Sequence, residues 1–342
     1  MTVYYNTLYV TQPETYLAKS LETVVVKRQG TVLLQIPIHH LISIVCMGST
    51  IQISPELMHS CFQHQVSVSF FCETGRFRGR VEGVPSGNVL LRRAQYRLAD
   101  NPEGTRAIAL RCIQGKISNC RTILQRYARE AGVDEVETRI GLAVDRLADA
   151  LSRLKNAESL NSLRGIEGES AAVYFNALAD AFKQPDIDFN TRNRRPPKDP
   201  VNAVLSFLYA LLAHDCTGAL SAVGLDPQVG YLHVDRPGRP SLSLDLMEEF
   251  RPILVDRLTV RLFNLRQLTN KDFETDMAGG VLMKDAGRRL LLHEYQESKH
   301  EEILHPFLNQ KVRYGLLPLM QARLLSKAIR GEMSDYVPYL LR

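Results

Sequence analysis

The sequence predicts an α+β chain, with short strands in residues 1–84 and helices in residues 89–342. Three observations carry that expectation. The N-terminal residues alternate in short β-branched runs punctuated by turn dipeptides. Val84-Pro85-Ser86-Gly87-Asn88 then breaks the pattern, and residues 85–88 read as a linker. Beyond it the apolar period becomes helical.

Residues 22–28 and 31–36 are β-branched runs on either side of Gln29-Gly30, a hairpin signal. Residues 40–46 form a buried-strand candidate closed by Gly48, and residues 55–65 read as one short helix. Residues 66–72 and 76–81 flank Thr74-Gly75, a second hairpin signal. In its second arm Arg76, Arg78 and Arg80 lie two apart, so a strand puts them on one face. That face is either a solvated exterior or a stripe contacting phosphates or a partner.

In the helical region Ile113, Ile117, Cys120, Leu124 and Tyr127 form one stripe of a long helix that stops at Gly132. Further helices are expected over residues 135–155 (capped by Asp134), 163–182, 200–215, 242–266, 282–303 and about 317–330. Residues 183–200 carry four prolines and a basic cluster of Arg192, Arg194, Arg195 and Lys198. A loop of this length inside a compact domain is more often functional than idle.

Hydrophobic residues make up 45% of the 342-residue chain and charged residues 23%, which excludes a disordered protein. Trp is absent, which argues against a sugar site built on Trp platforms. A net charge of +5 permits a nucleic-acid partner without demonstrating one. None of the six cysteines forms a C-x-x-C pair, which removes zinc-ribbon and thioredoxin readings and fits a reduced, cytoplasmic protein. Met-Thr-Val-Tyr-Tyr-Asn is not a basic and then apolar leader, and no run approaches ~18 consecutive apolar residues, so no membrane span is expected.

Three segments carry chemistry. Glu167 shares a helical stripe with Ala171, Tyr174, Leu178 and Phe182, so it points inward, whereas Glu169 is turned about 200° away and is expected in solvent. An ionised carboxylate on a buried face needs a charge partner or a metal. His233 sits between an apolar segment and a Pro/Gly/Arg loop. Asp245 and Glu248 lie at i, i+3 on one helix face, with Ser241 or Ser243 as candidate caps. Two carboxylates there repel unless a cation lies between them; an exposed acidic face is the alternative. Hard oxygen ligands with one imidazole suit Mg²⁺ or Mn²⁺ better than Zn²⁺. Such ions typically handle phosphate esters. Arg236, Arg239, Arg251 and Arg257 surround these segments, and Arg fits phosphate bidentately.

Residues 163–175 (Leu-Arg-Gly-Ile-Glu-Gly-Glu-Ser-Ala-Ala-Val-Tyr-Phe) resemble the glutamate motif of the CRISPR-associated integrase family, the DNA endonuclease of the adaptation module. Residues 202–212 are similar to its central helix, 224–233 to its histidine motif, 241–252 to its acidic helix and 88–96 to the start of its helical domain. Residues 299–308 and 321–325 resemble subtype I-C, whose aromatic ending the closing residues 336–342 lack. The resemblance covers nearly the whole chain, with the motifs in the family's order.

It implies a small N-terminal β-sandwich, a larger all-α catalytic domain and a homodimer. It also implies assembly with the small second adaptation protein on double-stranded DNA, both protospacer and CRISPR array. By position, Glu167, His233 and Glu248 take the family's metal-ligand places and Asp245 that of its supporting acid. Phosphate contacts are expected from Arg76, Arg78, Arg80, Arg192, Arg194, Arg195, Arg236, Arg239 and Arg251. Two other functions stay open: a non-catalytic DNA-binding scaffold of the same fold, and a stand-alone metal-dependent repair nuclease.

Overall fold

The computed structural model describes residues 2–4, 7–64, 66–72, 77–81, 89–131, 139–194 and 196–342. The expected linker, the Thr74-Gly75 turn with Arg76, the Asp134 cap and Arg195 lie outside them. The chain divides into two compact units, Met1–Ser86 and Gly87–Arg342.

The first unit holds β1 (Thr2–Tyr4), β2 (Thr7–Val10), β3 (Thr15–Ser20), β4 (Thr23–Arg28), β5 (Thr31–Pro37), β6 (Ser43–Met47), β7 (Gln52–Ile53), α1 (Pro55–Gln63), β8 (Ser67–Phe71) and β9 (Phe77–Val81). They build two sheets, ordered β1-β2-β6-β8-β9 and β5-β4-β3-β7. Gln29 and Gly30 both have positive φ (48° and 80°), so the β4–β5 hairpin closes through a two-residue turn whose twist matches its strands. Ser54 caps α1 by accepting from Leu57 N at 3.2 Å, with Pro55 in the first turn, where a missing N–H costs nothing. Leu8, Leu17, Val24, Ile44, Leu57 and Val68 join in one core fed by both sheets and by α1, a sandwich with a helix against it. Cys46 and Cys61 pack there as small hydrophobes, and burial pushes their thiols up to about 12 and about 11.

The second unit begins with α2 (Val89–Ala99), α3 (Pro102–Ala131), α4 (Arg139–Leu154), α5 (Leu160–Leu178) and α6 (Pro200–Ala222). It continues with α7 (Ser241–Met247), a wide π-type turn (Arg251–Asp256), α8 (Arg257–Asn264), β10 (Phe273–Thr275), β11 (Val281–Met283), α9 (Asp285–Ser298), β12 (Glu302–His305), β13 (Gln310–Arg313) and α10 (Leu317–Ile329). Asp199 caps α6 by accepting from Asn202 N at 2.8 Å. By length and apolar content α6 could cross a membrane, yet 61% of that stretch is buried inside the unit, as befits a core helix.

Four expectations are corrected. Residues 242–266 are not one helix: Pro252 has no N–H to continue the ladder, so the chain widens between α7 and α8. Residues 282–303 are a helix only from Asp285 to Ser298, because their ends pair as the β10–β11 and β12–β13 hairpins, so this unit is not purely α-helical. The helix expected to end at Asp215 runs on to Ala222, because Asp215 is paired with Lys299 and Tyr295 instead of marking an end. Neither serine caps α7: Ser243 Oγ pairs with Thr217 and Ser241 Oγ donates to Val234 O.

The C-terminal residues are strapped into this unit. Tyr336, Tyr339 and Leu341 are buried, and Asn119 donates to the carbonyls of Tyr339 and Glu249. The fully buried Glu249 carboxylate accepts from Tyr336 Oη, Tyr339 N and Gln321 Nε2. Burial outweighs these donors and pushes its carboxyl up to about 8. A raised carboxyl pKa favours the fold most at low pH, and that contribution is lost as pH climbs from the unfolded value toward about 8. Glu249→Gln keeps the shape of the protonated acid. It is expected to match wild type in Tm near pH 5 and to exceed it above pH 8, read by circular dichroism. Parallel profiles across that range would remove Glu249 as the source.

Candidate active site

The site lies within the second unit and is assembled from four segments. α3 contributes Lys116, α5 Glu167, the loop after α6 His233, and the end of α7 Glu248. Lys116 Nζ stands between the two glutamates, 2.7 Å from Glu248 Oε2 and in contact with Glu167 Oε1. Side-chain exposure is 7% for Lys116, 5% for Glu248 and 26% for Glu167, so Glu167 forms the open side. The other Glu248 oxygen accepts from Arg251 Nη1 at 2.9 Å. Burial opposes the charge on Glu248, but Arg251, Lys116 and His233 together hold its carboxyl below the ordinary range. Burial likewise opposes the charge on Lys116, and Glu248 and Glu167 push its pKa above the usual lysine value.

His233 is oriented by Asp245. Its Nδ1 lies 2.7 Å from Asp245 Oδ1 and donates to it, which leaves Nε2 as the ring nitrogen that Asp245 does not engage. Asp245 has no exposed side-chain surface. Its Oδ1 also accepts from His233 N at 2.9 Å, and its Oδ2 from Tyr231 N at 2.6 Å and Leu232 N at 2.9 Å. With both oxygens engaged, Asp245 is a brace for the histidine loop. Gly230 opens that loop, and a Cβ there would meet Asp245 Oδ2 at 2.9 Å and the Ser241 carbonyl carbon at 2.8 Å, so only glycine lets the loop close on the carboxylate.

A second brace comes from α5. Arg164 forks onto Leu232 O at 2.9 and 2.7 Å. It precedes Glu167 by three residues, as Asp245 precedes Glu248. Each carboxylate-bearing helix thus also grips the loop beside His233. Gln95 of α2, fully buried, donates to Asp226 O (2.8 Å) and Val229 O (3.0 Å) and accepts from Asp226 N (2.8 Å), fixing the start of the same loop. Glu169, on the other face of α5, is exposed and paired with Arg153 at 2.8 Å, as its position predicts.

The expected phosphate-binding arginines divide. Arg251 is 15% exposed, stacks 4.2 Å from the centroid of the Tyr209 ring and serves Glu248. Tyr209 and Tyr174 both donate to Asp256, whose carboxyl burial pushes up to about 6. Arg192 turns inward to Asn202 Oδ1 (2.7 Å) and Ser206 Oγ (2.9 Å). Arg194, Lys198 and Arg236 face solvent, and Arg239 is half-buried against Val234 O. Arg78 is exposed and Arg80 half-buried on β9 of the first unit.

Among the described residues, no three of His, Cys, Asp and Glu stand grouped so as to hold a metal ion. The donor set nevertheless fits a hard divalent cation. Two carboxylates converge on one cationic point, and His233 lies close enough for its charge to act on Glu248. Sequence reasoning missed Lys116, Arg164 and Gln95. Lys116 was detectable: it falls three residues after Ile113 and four before Cys120, on the same buried stripe of α3.

The chain matches the family model for CRISPR associated protein Cas1 over residues 8–297. It is 46% identical over 340 residues to a CRISPR-associated endonuclease Cas1 of Rhodospirillum rubrum, covering 98% of each chain. A CRISPR-associated endonuclease Cas1 of Moorella thermoacetica is 44% identical over 349 residues, covering 100% of both. In fold the chain is similar to a casposase bound to integration product (TM-score 0.86, 21% identity, 98% of this chain and 94% of that one). It is also similar to a CAS1 protein from Thermotoga maritima (TM-score 0.82, 24% identity, 95% and 97% covered). End-to-end relatedness to two Cas1 endonucleases and a family match spanning both units place this chain in the CRISPR-associated endonuclease Cas1 family.

Proposed function

We propose that this chain is a divalent-metal-dependent integrase that inserts spacer DNA into a CRISPR array by transesterification, with Glu167, His233 and Glu248 holding Mg²⁺ or Mn²⁺. The observation that carries this is the convergence of Glu167 and Glu248 on one cationic point, with the imidazole held by Asp245 close enough to act on Glu248. An ion bound there would acidify a DNA 3′-hydroxyl and offset charge developing on the scissile phosphate. The chain's own residues do the positioning. Asp245 keeps the His233 proton on Nδ1, Arg164 ties the histidine loop to α5, and Arg251 keeps Glu248 ionised. Exposed Arg194, Lys198 and Arg236 suit phosphate contacts, which set DNA register without reading sequence.

The partners we assign are double-stranded DNA, a second copy of the chain and the small second adaptation protein. Two similarly folded structures support DNA and the small protein: the casposase bound to integration product, and a Cas6-RT-Cas1--Cas2 complex (TM-score 0.81, 22% identity, 97% of this chain and 36% of that one). The homodimer rests on the resemblance to the family. Cytoplasmic location and subtype I-C remain part of this reading, the latter on residues 299–308 and 321–325 alone.

The test is an assay with a 3′-hydroxyl DNA donor, a plasmid carrying the cognate array, and the small adaptation protein. Joined product with Mn²⁺ or Mg²⁺ and none with EDTA is the expected result. DNA binding without joining under any metal would favour the non-catalytic scaffold. Cleavage indifferent to both array and small protein would favour a repair nuclease.

A further inference from the structure

Lys116 has no role in the reaction as written, yet it is the group on which the site closes. It projects from the buried stripe of α3 and is itself buried. Glu167 and Glu248 come from different helices, and with nothing between them their charges would repel. The Lys116 ammonium resolves this by touching both. The two oxygens of Glu248 are not equivalent. Oε1 is held by Arg251 in a hydrogen bond of 2.9 Å. Oε2 is ion-paired with Lys116 at 2.7 Å. The oxygen left for a metal is therefore the one that Lys116 occupies. A lysine is a compact point charge on a flexible four-carbon stem, suited to holding such a place and to leaving it.

We propose that Lys116 is an internal stand-in for the divalent cation: its ammonium holds Glu167 and Glu248 together in the metal-free protein and is exchanged for the ion on loading. This rests on the reading that Glu167, His233 and Glu248 take a divalent metal. It implies that the site stays assembled without metal and that metal affinity is set by competition with the protein's own cation.

The experiment is calorimetric titration of Mn²⁺ alone into the full-length wild type, Lys116→Met and Glu248→Gln, with Tm measured in EDTA and in saturating Mn²⁺. Lys116→Met is expected to bind Mn²⁺ about tenfold tighter than wild type, as removal of one competing charged contact allows. Its Tm is expected to fall in EDTA and to return to the wild-type value in Mn²⁺. Unchanged or weaker Mn²⁺ binding by Lys116→Met, with wild type binding and Glu248→Gln not binding, overturns the stand-in role alone. Absence of Mn²⁺ binding by wild type overturns the metal reading and this inference with it. A second comparison holds if Lys116→Met does not fold: Lys116→Gln, which keeps a polar side chain but not the charge, must bind Mn²⁺ more tightly than wild type, and equal or weaker affinity overturns the proposal.

Discussion

Alanine at Glu167, His233 or Glu248 is expected to abolish integration, a loss beyond the ~10–100-fold that groups supporting a ligand typically cost. The three variants are not expected to fold equally well. Glu167 is 26% exposed and shares Lys116 with Glu248, so its loss leaves the ammonium paired. Glu248 is 5% exposed and paired with both Lys116 and Arg251, so Glu248→Ala takes the carboxylate partner from buried Arg251 and leaves Lys116 only the more exposed Glu167. Breaking a buried pair by removing one partner typically costs about 3–5 kcal/mol. Glu248→Gln keeps the volume and the acceptor facing Arg251, and it is the variant on which catalysis is judged. Joined product is read on gels with Mn²⁺, and folding by near-ultraviolet circular dichroism. A folded variant that retains near-wild-type joining would remove that residue from the site.

The second large effect is expected at Asp245, and its character differs. Asp245→Asn preserves size but must turn an amide N–H toward one of the donors now served, among them Tyr231 N, Leu232 N, His233 N and His233 Nδ1. The loop then loses its grip and His233 loses the bond that fixes its tautomer. Integration is expected to fall ~10–100-fold, in the range typical of a group that orients a ligand. Stability is expected to drop by roughly 1.5–3 kcal/mol, the usual worth of a hydrogen bond to a charged group. Steady-state joining and urea unfolding check the two figures. Complete loss of joining with undiminished stability would instead make Asp245 a ligand in its own right.

Inward-pointing Glu167, outward Glu169 and the shared face of Asp245 and Glu248 were legible in the sequence because helical period reports direction. What period does not report is the partner. It left open whether Glu167 meets a cation, an ion pair or a metal, and the answer sits on Lys116, 51 residues away in the chain. The same limit applies to arginines. Arg192 and Arg251 look like free basic charge in sequence, but Asn202, Ser206 and Tyr209 draw one inward, and Glu248 with Tyr209 draws the other. The break at Pro252 was in plain view and was overridden by an apolar pattern that continues on both sides of it. β10 and β11 have three residues each, too few to display an alternating period, and only their pairing defines them. Residues 336–342, which in sequence mark a departure from subtype I-C, prove to be the strap over Glu249.

Anomalous scattering from metal-loaded crystals locates Mn²⁺ directly. One peak is expected, bounded by the carboxylates of Glu167 and Glu248 and by Nε2 of His233, with Asp245 still bonded to Nδ1. A peak outside that triangle, or His233 released from Asp245 and turned away from the ion, would contradict Glu167, His233 and Glu248 as the ligands.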